Sequence, residues 1–282
     1  MKGRTVVITG ASSGIGLETA RALAQRGARV VMVVRSKERG QAAIDSIKST
    51  QADAELELVL ADLYSLAEVR AAAAKIKERL GGLHVLVNNA GLIHKSREET
   101  IDGLERTFAL NHLSAWLLTY ELRELLAASA PARVVTVASA GHMLARADWD
   151  DMPYCKKGYG ETRVYGDSKL CNILFARESA KRFEGKGVTS NSLHPGAVAS
   201  NFGASGSALF SLGAKLVRPF LLTSAQGART SIHLASAPDV EDVSGAYFVK
   251  SAVAKPSRAA RNDENAKRLW SISEELCGVT WS

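Results

Sequence analysis

The sequence predicts an α/β domain built on a parallel, doubly wound sheet with helices on both faces. Three observations carry this expectation. Short β-branched runs alternate with helix-period segments along the whole chain. Two of the runs, Val30-Val31-Met32-Val33-Val34 and Val134-Val135-Thr136-Val137, are apolar on both sides, as strands covered above and below by helices should be. A glycine-rich turn, Thr9-Gly10-Ala11-Ser12-Ser13-Gly14-Ile15-Gly16, stands between the first apolar run and the first helical segment.

In chain order, the strand Arg4–Thr9 passes through that turn into a helix over Gly14–Arg26. The pattern repeats with strand Arg29–Val34 and helix Lys37–Ser49, then with Leu56–Leu60 and Leu66–Arg79. Strand His84–Asn88 is followed by a long helix over Gly103–Ala128, and strand Arg133–Ala138 leads to a helix over Arg163–Arg182. Strand Val188–Leu193, helix Ala225–Ala235, strand Ala246–Val249 and helix Asp263–Leu276 complete the order. Two segments break the alternation. His142–Glu161 is a polar loop bearing aromatic residues, and Asn201–Leu222, rich in Gly, Ser and Leu, reads as a flap with an apolar inner face. No Pro/Gly/Ser linker divides the chain and no internal repeat appears, so residues 1–282 are expected to form a single domain.

Composition narrows the function classes. Apolar residues make up 46% and charged residues 23%, ordinary values for a soluble globular protein. Cys155, Cys171 and Cys277 match no metal knuckle or disulfide framework and read as reduced thiols of a cytoplasmic protein. The six histidines are scattered, which argues against a metal site. The net charge of +7 comes without a basic stripe interleaved with aromatics, so nucleic acid is not an expected partner. A field that draws an anionic cofactor is the smaller claim, beside a merely solvated basic surface. The N-terminus runs directly into the first strand with nothing like a secretion signal, and no apolar stretch is long enough to cross a bilayer.

The glycine turn is a place for phosphate. Glycines let the chain turn sharply and let a diphosphate approach the backbone, while the free N–H groups and dipole of the new helix favour the anion. Further on, Tyr165-Gly166-Asp167-Ser168-Lys169 puts a phenol and an amine on one helix face. A nearby ammonium favours phenolate, so Lys169 is expected to lower the pKa of Tyr165 and ready it for proton transfer. Ser139 ends the strand Arg133–Ala138, at the edge where open α/β sheets bind ligands. Taken singly, the Tyr/Lys pair also fits an ordinary amphipathic helix, and Ser139 a turn cap.

Together the motifs make the chain resemble a short-chain dehydrogenase/reductase, a Rossmann-type fold, over nearly its whole length. Thr9-Gly10-x-x-x-Gly14-x-Gly16 matches that family's cofactor turn, Asn88-Asn89-Ala90-Gly91 the motif closing the fourth strand, and Pro195-Gly196 the motif after the sixth. Asn111, Ser139, Tyr165 and Lys169 match the catalytic set. Within the family the chain is most similar to the retinol-dehydrogenase-like branch. That likeness rests on Leu170-Cys171-Asn172-Ile173-Leu174-Phe175, Gly245-Ala246-Tyr247-Phe248-Val249, the tail Arg268–Leu276 and the long Ser139–Tyr165 gap. The N-terminal anchor of many animal relatives has no counterpart, and Asn201–Leu222 has no recognisable match.

The resemblance implies hydride transfer between a nicotinamide and a carbonyl or alcohol carbon. Tyr165 would be the proton donor, Lys169 its partner and a ribose contact, Ser139 the carbonyl holder and Asn111 the support of a relay water. Asn111 reads equally as a buried residue tying down its helix, and the two roles are compatible. The implied cofactor contacts are Gly10, Ser12, Ser13, Gly14, Ile15 and Gly16 at the turn, Asp62 and Leu63 by the adenine, and Asn88, Ala90 and Gly91 along the ribose. Tyr165, Lys169, Pro195, Gly196, Val198 and Ser200 would lie about the nicotinamide. Tyr154 and Tyr159 are assigned to the substrate-side loop, and His194 to a structural role.

An acidic residue ending the second strand would select NAD. Here that strand ends at Arg35, followed by Ser36 and Lys37, so NADP(H) is the expected cofactor, with Ser36 and Ser13 adding hydroxyl contacts and NAD(H) remaining usable. The apolar run Leu209–Leu222 points to a small hydrophobic carbonyl or alcohol substrate, though it also fits a core helix or a subunit contact. A catalytically silent NADP(H)-sensing regulator on the same fold is the alternative class. The helices Gly103–Ala128 and Arg163–Arg182 resemble those that pair subunits in the family, consistent with a homodimer or homotetramer. The tail Lys250–Arg261 is expected to be a solvated loop.

Overall fold

A computed structural model describes residues 1–152, 154, 158–198 and 221–281. Its centre is one sheet of eight strands: β1 (Thr5–Thr9), β2 (Arg29–Val34), β3 (Leu56–Leu60), β4 (Val85–Asn88), β5 (Ala132–Val137), β6 (Val188–His194), β7 (Tyr247–Val249) and β8 (Ala252–Val253). The spatial order is β3-β2-β1-β4-β5-β6-β7-β8, parallel up to β7. β8 pairs antiparallel to β7.

The helices are α1 (Gly14–Gln25), α2 (Lys37–Lys48), α3 (Leu66–Arg79), the single turn α4 (Arg106–Phe108), α5 (Ser114–Ala128), α6 (Glu161–Arg182), α7 (Ser224–Ser236) and α8 (Asp263–Cys277). Alternate residues of each inner strand enter two cores, which explains why the runs are apolar throughout. Val7, Val31, Leu86 and Val134 join the α3, α5 and α6 layer; Val6, Val30, Val87 and Val135 join the layer of α1, α2 and α7. The order in which strands are added reverses between β1 and β4, so the crevice opens at the carboxyl ends of those two parallel strands, where both glycine motifs lie.

Three expectations are corrected. The helix expected over Gly103–Ala128 starts at Arg106, because the buried Glu105 carboxylate caps it, accepting the N–H groups of Thr107 (2.8 Å) and Phe108 (2.7 Å). It then widens into a π turn over Ala109–Leu113 before α5. Tyr154 is not on a substrate-facing loop: it is 1% exposed and packs against Phe108, because its ring is among the larger apolar surfaces available to that core. Lys250–Arg261 is not simply a solvated loop, since it forms β8 and a 3-10 turn at Ala259–Arg261.

The C-terminal chain packs back on the helices. Trp270 and Trp281 meet Trp116 and Tyr120 of α5, with Phe175 of α6 against Trp270 and Phe183 against Trp281. This cluster packs on α5 and α6, the two helices that the resemblance assigned to subunit pairing. Among the described residues no helix is long and apolar enough to cross a membrane, and no cluster of side chains suits a metal ion. Cys171 and Cys277 are buried free thiols; Cys155 lies outside the described residues.

Candidate active site

The glycine turn between β1 and α1 is fixed by its neighbour across the switch point. Thr9 Oγ1 accepts the main-chain N–H groups of Asn89 and Ala90, each at 3.0 Å. Asn89 Nδ2 returns a bond to the Thr9 carbonyl (2.8 Å) and a longer one to Gly10 (3.3 Å). The close packing explains two of the glycines. A Cβ on Gly16 would stand 2.5 Å from both Asn89 Nδ2 and the Gly10 carbonyl oxygen, and one on Gly10, whose φ is +66°, would meet Ala90 Cα at 3.0 Å. Gly14, with φ +59°, faces open space.

Helix α1 has neither a side-chain cap nor an acidic residue in its first turn. Its first N–H groups, with the open backbone at Gly14, fit a diphosphate. Ser12, Ser13 and Ile15 lie on this turn, and Ile15 also packs toward Gly227 at the start of α7. Asp62 and Leu63 follow β3; the Asp62 carboxylate accepts the N–H of Tyr64 at 3.2 Å. Asn88, expected to line the ribose, turns its side chain into the core, where Nδ2 donates to Thr119 Oγ1 (3.0 Å) and the residue is 3% exposed. Burial in the α5 interface redirects it, so what Asn88 offers the crevice is main chain.

Arg35 directly follows β2 and is exposed. Arg39, which the sequence reading passed over, extends Nη2 to within 3.4 Å of Ser13 Oγ. The Ser36 hydroxyl, expected as a ligand contact, caps α2 by accepting the Arg39 N–H and donates to the Glu38 carboxylate at 2.8 Å. Helix capping claims it first.

The second cluster gathers at the carboxyl end of β5. Ser139 Oγ accepts the Gly141 N–H at 3.1 Å and also bonds the Tyr165 phenol, which lies against Gly141. Lys169 is 3% exposed; its Nζ donates to the Val137 carbonyl (3.1 Å) and stands 5.7 Å from the centre of the Tyr165 ring. A Cβ on Gly91 would fall 3.2 Å from that Nζ and 3.1 Å from Asn111 Oδ1, so the fourth-strand motif borders directly on the lysine. The Asn111 side chain, inside the π turn, accepts the Leu92 N–H (2.8 Å) and donates to the Leu92 carbonyl (2.9 Å) and Ser168 Oγ (3.0 Å). Its amide ties the β4 exit to α6, the structural half of the expected role.

Electrostatics differ from expectation at one point. Burial pushes the Tyr165 phenol up to about 12, with the Ser139 hydrogen bond pulling the other way. Lys169 does not lower it here. Burial brings the amine itself down to about 8, and its proton is directed to Val137 rather than to the phenol. Pro195, Gly196 and Val198 follow β6, with Gly196 at φ +89°. Val198 bridges to Leu222, and the Leu222 N–H donates to the Ala197 carbonyl at 2.8 Å. Ser200 and all of the expected flap except Leu221 and Leu222 lie outside the described residues. His194 is structural as expected, its Nδ1 accepting the Ala140 N–H at 3.1 Å.

A dinucleotide turn opposite a half-buried Ser and Tyr with a buried Lys behind them defines a nicotinamide-dependent oxidoreductase acting on alcohol or carbonyl groups. The family model for short chain dehydrogenases matches residues 4–208. Mouse retinol dehydrogenase 12 is 43% identical over 279 residues, covering 99% of this chain and 88% of that protein. A crystal structure of an uncharacterised protein from Mycobacterium paratuberculosis superposes with a TM-score of 0.80 at 31% identity, covering 100% of this chain and 96% of the other. A Beutenbergia cavernae protein assigned as an NAD(P)-dependent gluconate 5-dehydrogenase, with NADP bound at low occupancy, gives 0.72 at 26% identity, covering 89% and 96%. The chain belongs to the short-chain dehydrogenase family, in its retinol-dehydrogenase-like branch.

Proposed function

We propose that this protein reduces a hydrophobic aldehyde or ketone with NADPH, or oxidises the corresponding alcohol with NADP⁺. The observation that carries the reading is the convergence of Ser139, Tyr165 and Lys169 at the end of β5, bordered by Gly91 of the cofactor crevice. A nicotinamide cofactor, when bound, supplies the hydride for the carbonyl carbon.

The chain's own residues manage the oxygen. Ser139 holds the carbonyl oxygen through its hydroxyl, and Tyr165 gives it a proton. A phenol kept protonated by burial suits that acid role at neutral pH. Lys169, beside Gly91, is placed to contact the ribose, and its ammonium would favour the return of a proton from solvent to the phenolate left when Tyr165 has given its own to the product oxygen. Asn111 braces Leu92 and Ser168 around the lysine, and its main chain in the widened turn is our candidate for holding a relay water.

The preference for NADPH rests on Arg35 at the end of β2 and on Arg39 reaching Ser13. Glu38 opposes it, because its carboxylate stands at the Ser36 hydroxyl. The hydrophobic substrate class is supported by Met143 and Leu144, 63% and 62% exposed on the turn after Ser139, and by the names of the retinol dehydrogenase relatives.

The test is steady-state reduction of all-trans-retinal and decanal with each cofactor. Tyr165→Phe should lose turnover by about 10²- to 10⁴-fold, the usual worth of a general acid, while still binding NADPH. Arg35→Ala should raise the KM for NADPH and leave that for NADH unchanged. Equal use of NADH by the unaltered protein would overturn the cofactor assignment.

A further inference from the structure

The turn that carries Ser139 is held by two imidazoles. His142, 3% exposed, has Nδ1 at 2.6 Å from the main-chain carbonyl of Ser139 and Nε2 at 3.1 Å from the main-chain nitrogen of Ser257. The tautomer follows from these partners. A carbonyl only accepts, so Nδ1 carries the proton; an amide N–H only donates, so Nε2 carries none. One residue along, the Ala140 N–H donates to His194 Nδ1 at the end of β6. The His142 ring stands edge-on to Tyr247 of β7, centroids 5.2 Å apart.

We propose that His142 is a positioning residue for catalysis: as the neutral Nδ1–H tautomer it pins the main chain of Ser139 to the C-terminal segment at Ser257. It thereby fixes where the Ser139 hydroxyl meets the Tyr165 phenol. This rests on the role given to Ser139 above. The mechanical link is short. Gly141, between the two residues, donates its N–H to Ser139 Oγ, and a Cβ there would stand 3.1 Å from Tyr165 Cε1, so the turn cannot shift without disturbing both groups.

A second proton on the ring would set Nε2–H against the Ser257 N–H, donor facing donor. Burial lowers the pKa of His142, which favours the neutral form. Among the described residues, the titratable side chains on the elements around it include His194 of β6, Tyr247 of β7, Arg163, Tyr165, Asp167 and Lys169 of α6, and Lys255 and Arg258 beside Ser257. Tyr247 remains a phenol, since burial pushes it up to about 12. Asp167 is pushed up to about 6 and accepts the Arg146 N–H further along the same loop, so it is the control for any acid-range effect.

Two measurements test this. Histidine ¹⁵N spectra, assigned with His142→Gln, should show His142 as the neutral Nδ1–H tautomer at pH 6.5, in Asp167→Asn as well as in the unaltered protein. The Tyr165 ¹³Cζ resonance should move in His142→Gln. An Nε2–H ring or an unmoved tyrosine resonance overturns the proposal, whether or not either aldehyde is turned over. In kinetics with NADPH and decanal, His142→Gln should lower kcat by about 10- to 100-fold, the scale of an ångström-sized misplacement, with KM little changed. Placed on Ser139→Ala, the same change should cost less than about twofold, because the group it positions is gone. An equal loss in both backgrounds overturns the link to Ser139. A fully active Ser139→Ala overturns instead the role of Ser139 in the reading above.

Discussion

Thr9 offers a direct test of how the cofactor crevice is held. Its hydroxyl accepts two main-chain N–H groups, from Asn89 and Ala90, and the residue is 3% exposed. Thr9→Val keeps the shape and removes the acceptor, leaving both donors at the switch point without their partner. A fully buried donor stripped of its partner costs about 1–3 kcal/mol; these two are only part-buried, which lowers the upper end, so the pair should cost about 2–4 kcal/mol. The expected stability of a domain is about 5–15 kcal/mol, so the variant should still fold. With a urea slope of about 3 kcal/mol/M, the unfolding midpoint should fall by roughly 1 M. Thr9→Ser, which keeps the oxygen, should lose far less. NADPH affinity, read by titration calorimetry, should weaken in Thr9→Val because Asn89 and the Gly10 carbonyl lose their register. A Thr9→Val midpoint within 0.2 M (about 0.6 kcal/mol at that slope) of the unaltered protein would refute the reasoning.

Stability should also depend on pH through the catalytic helix. Lys169 titrates near 8 when folded against 10.5 unfolded, so the folded state binds fewer protons in that window and stability rises with pH across it. Tyr165, raised to about 12 from 10.0, reverses the trend above pH 10, where the folded state binds more protons. Urea midpoints of the ligand-free protein from pH 7 to 11 should show the rise and the reversal, and Lys169→Met should flatten the rise. Glu105→Ala removes the acceptor of the Thr107 and Phe108 N–H groups and of the Tyr159 hydroxyl (3.1 Å), and should cost about 2–4 kcal/mol by the same unfolding assay. Trp281→Ala empties the aromatic cluster under α5 and should cost about 3–5 kcal/mol; a loss below about 1 kcal/mol would show the tail to be loosely held.

The sheet was legible because strand runs alternate with helical periods and the central ones are apolar on both faces, as at Val30–Val34. The site motifs were legible because glycine, Tyr and Lys at fixed spacings act within one element. What spacing does not encode is contact between distant elements. Thr9 and Asn89 are eighty positions apart, and nothing local to either announces their bonds. The π turn at Ala109–Leu113 hides inside a helical period that continues through it. Tyr154 reads as a loop residue because its loop is polar, yet its ring fills a gap beside Phe108. Lys169 was expected to tune Tyr165 because they share a helix face; tertiary burial shifts both groups more than their proximity does.

Val198 and Leu222 pair side by side, and each is wedged against a glycine that has no room for a side chain. A Cβ on Gly227 would stand 2.5 Å from Val198 Cγ2, and one on Gly196 would stand 2.5 Å from Leu222 Cδ1. These contacts clamp the exit of β6 to the start of α7, which also packs on Ile15 of the glycine turn. A methyl group forced in at either glycine would therefore be felt at both rims of the crevice, far from any residue that handles a proton.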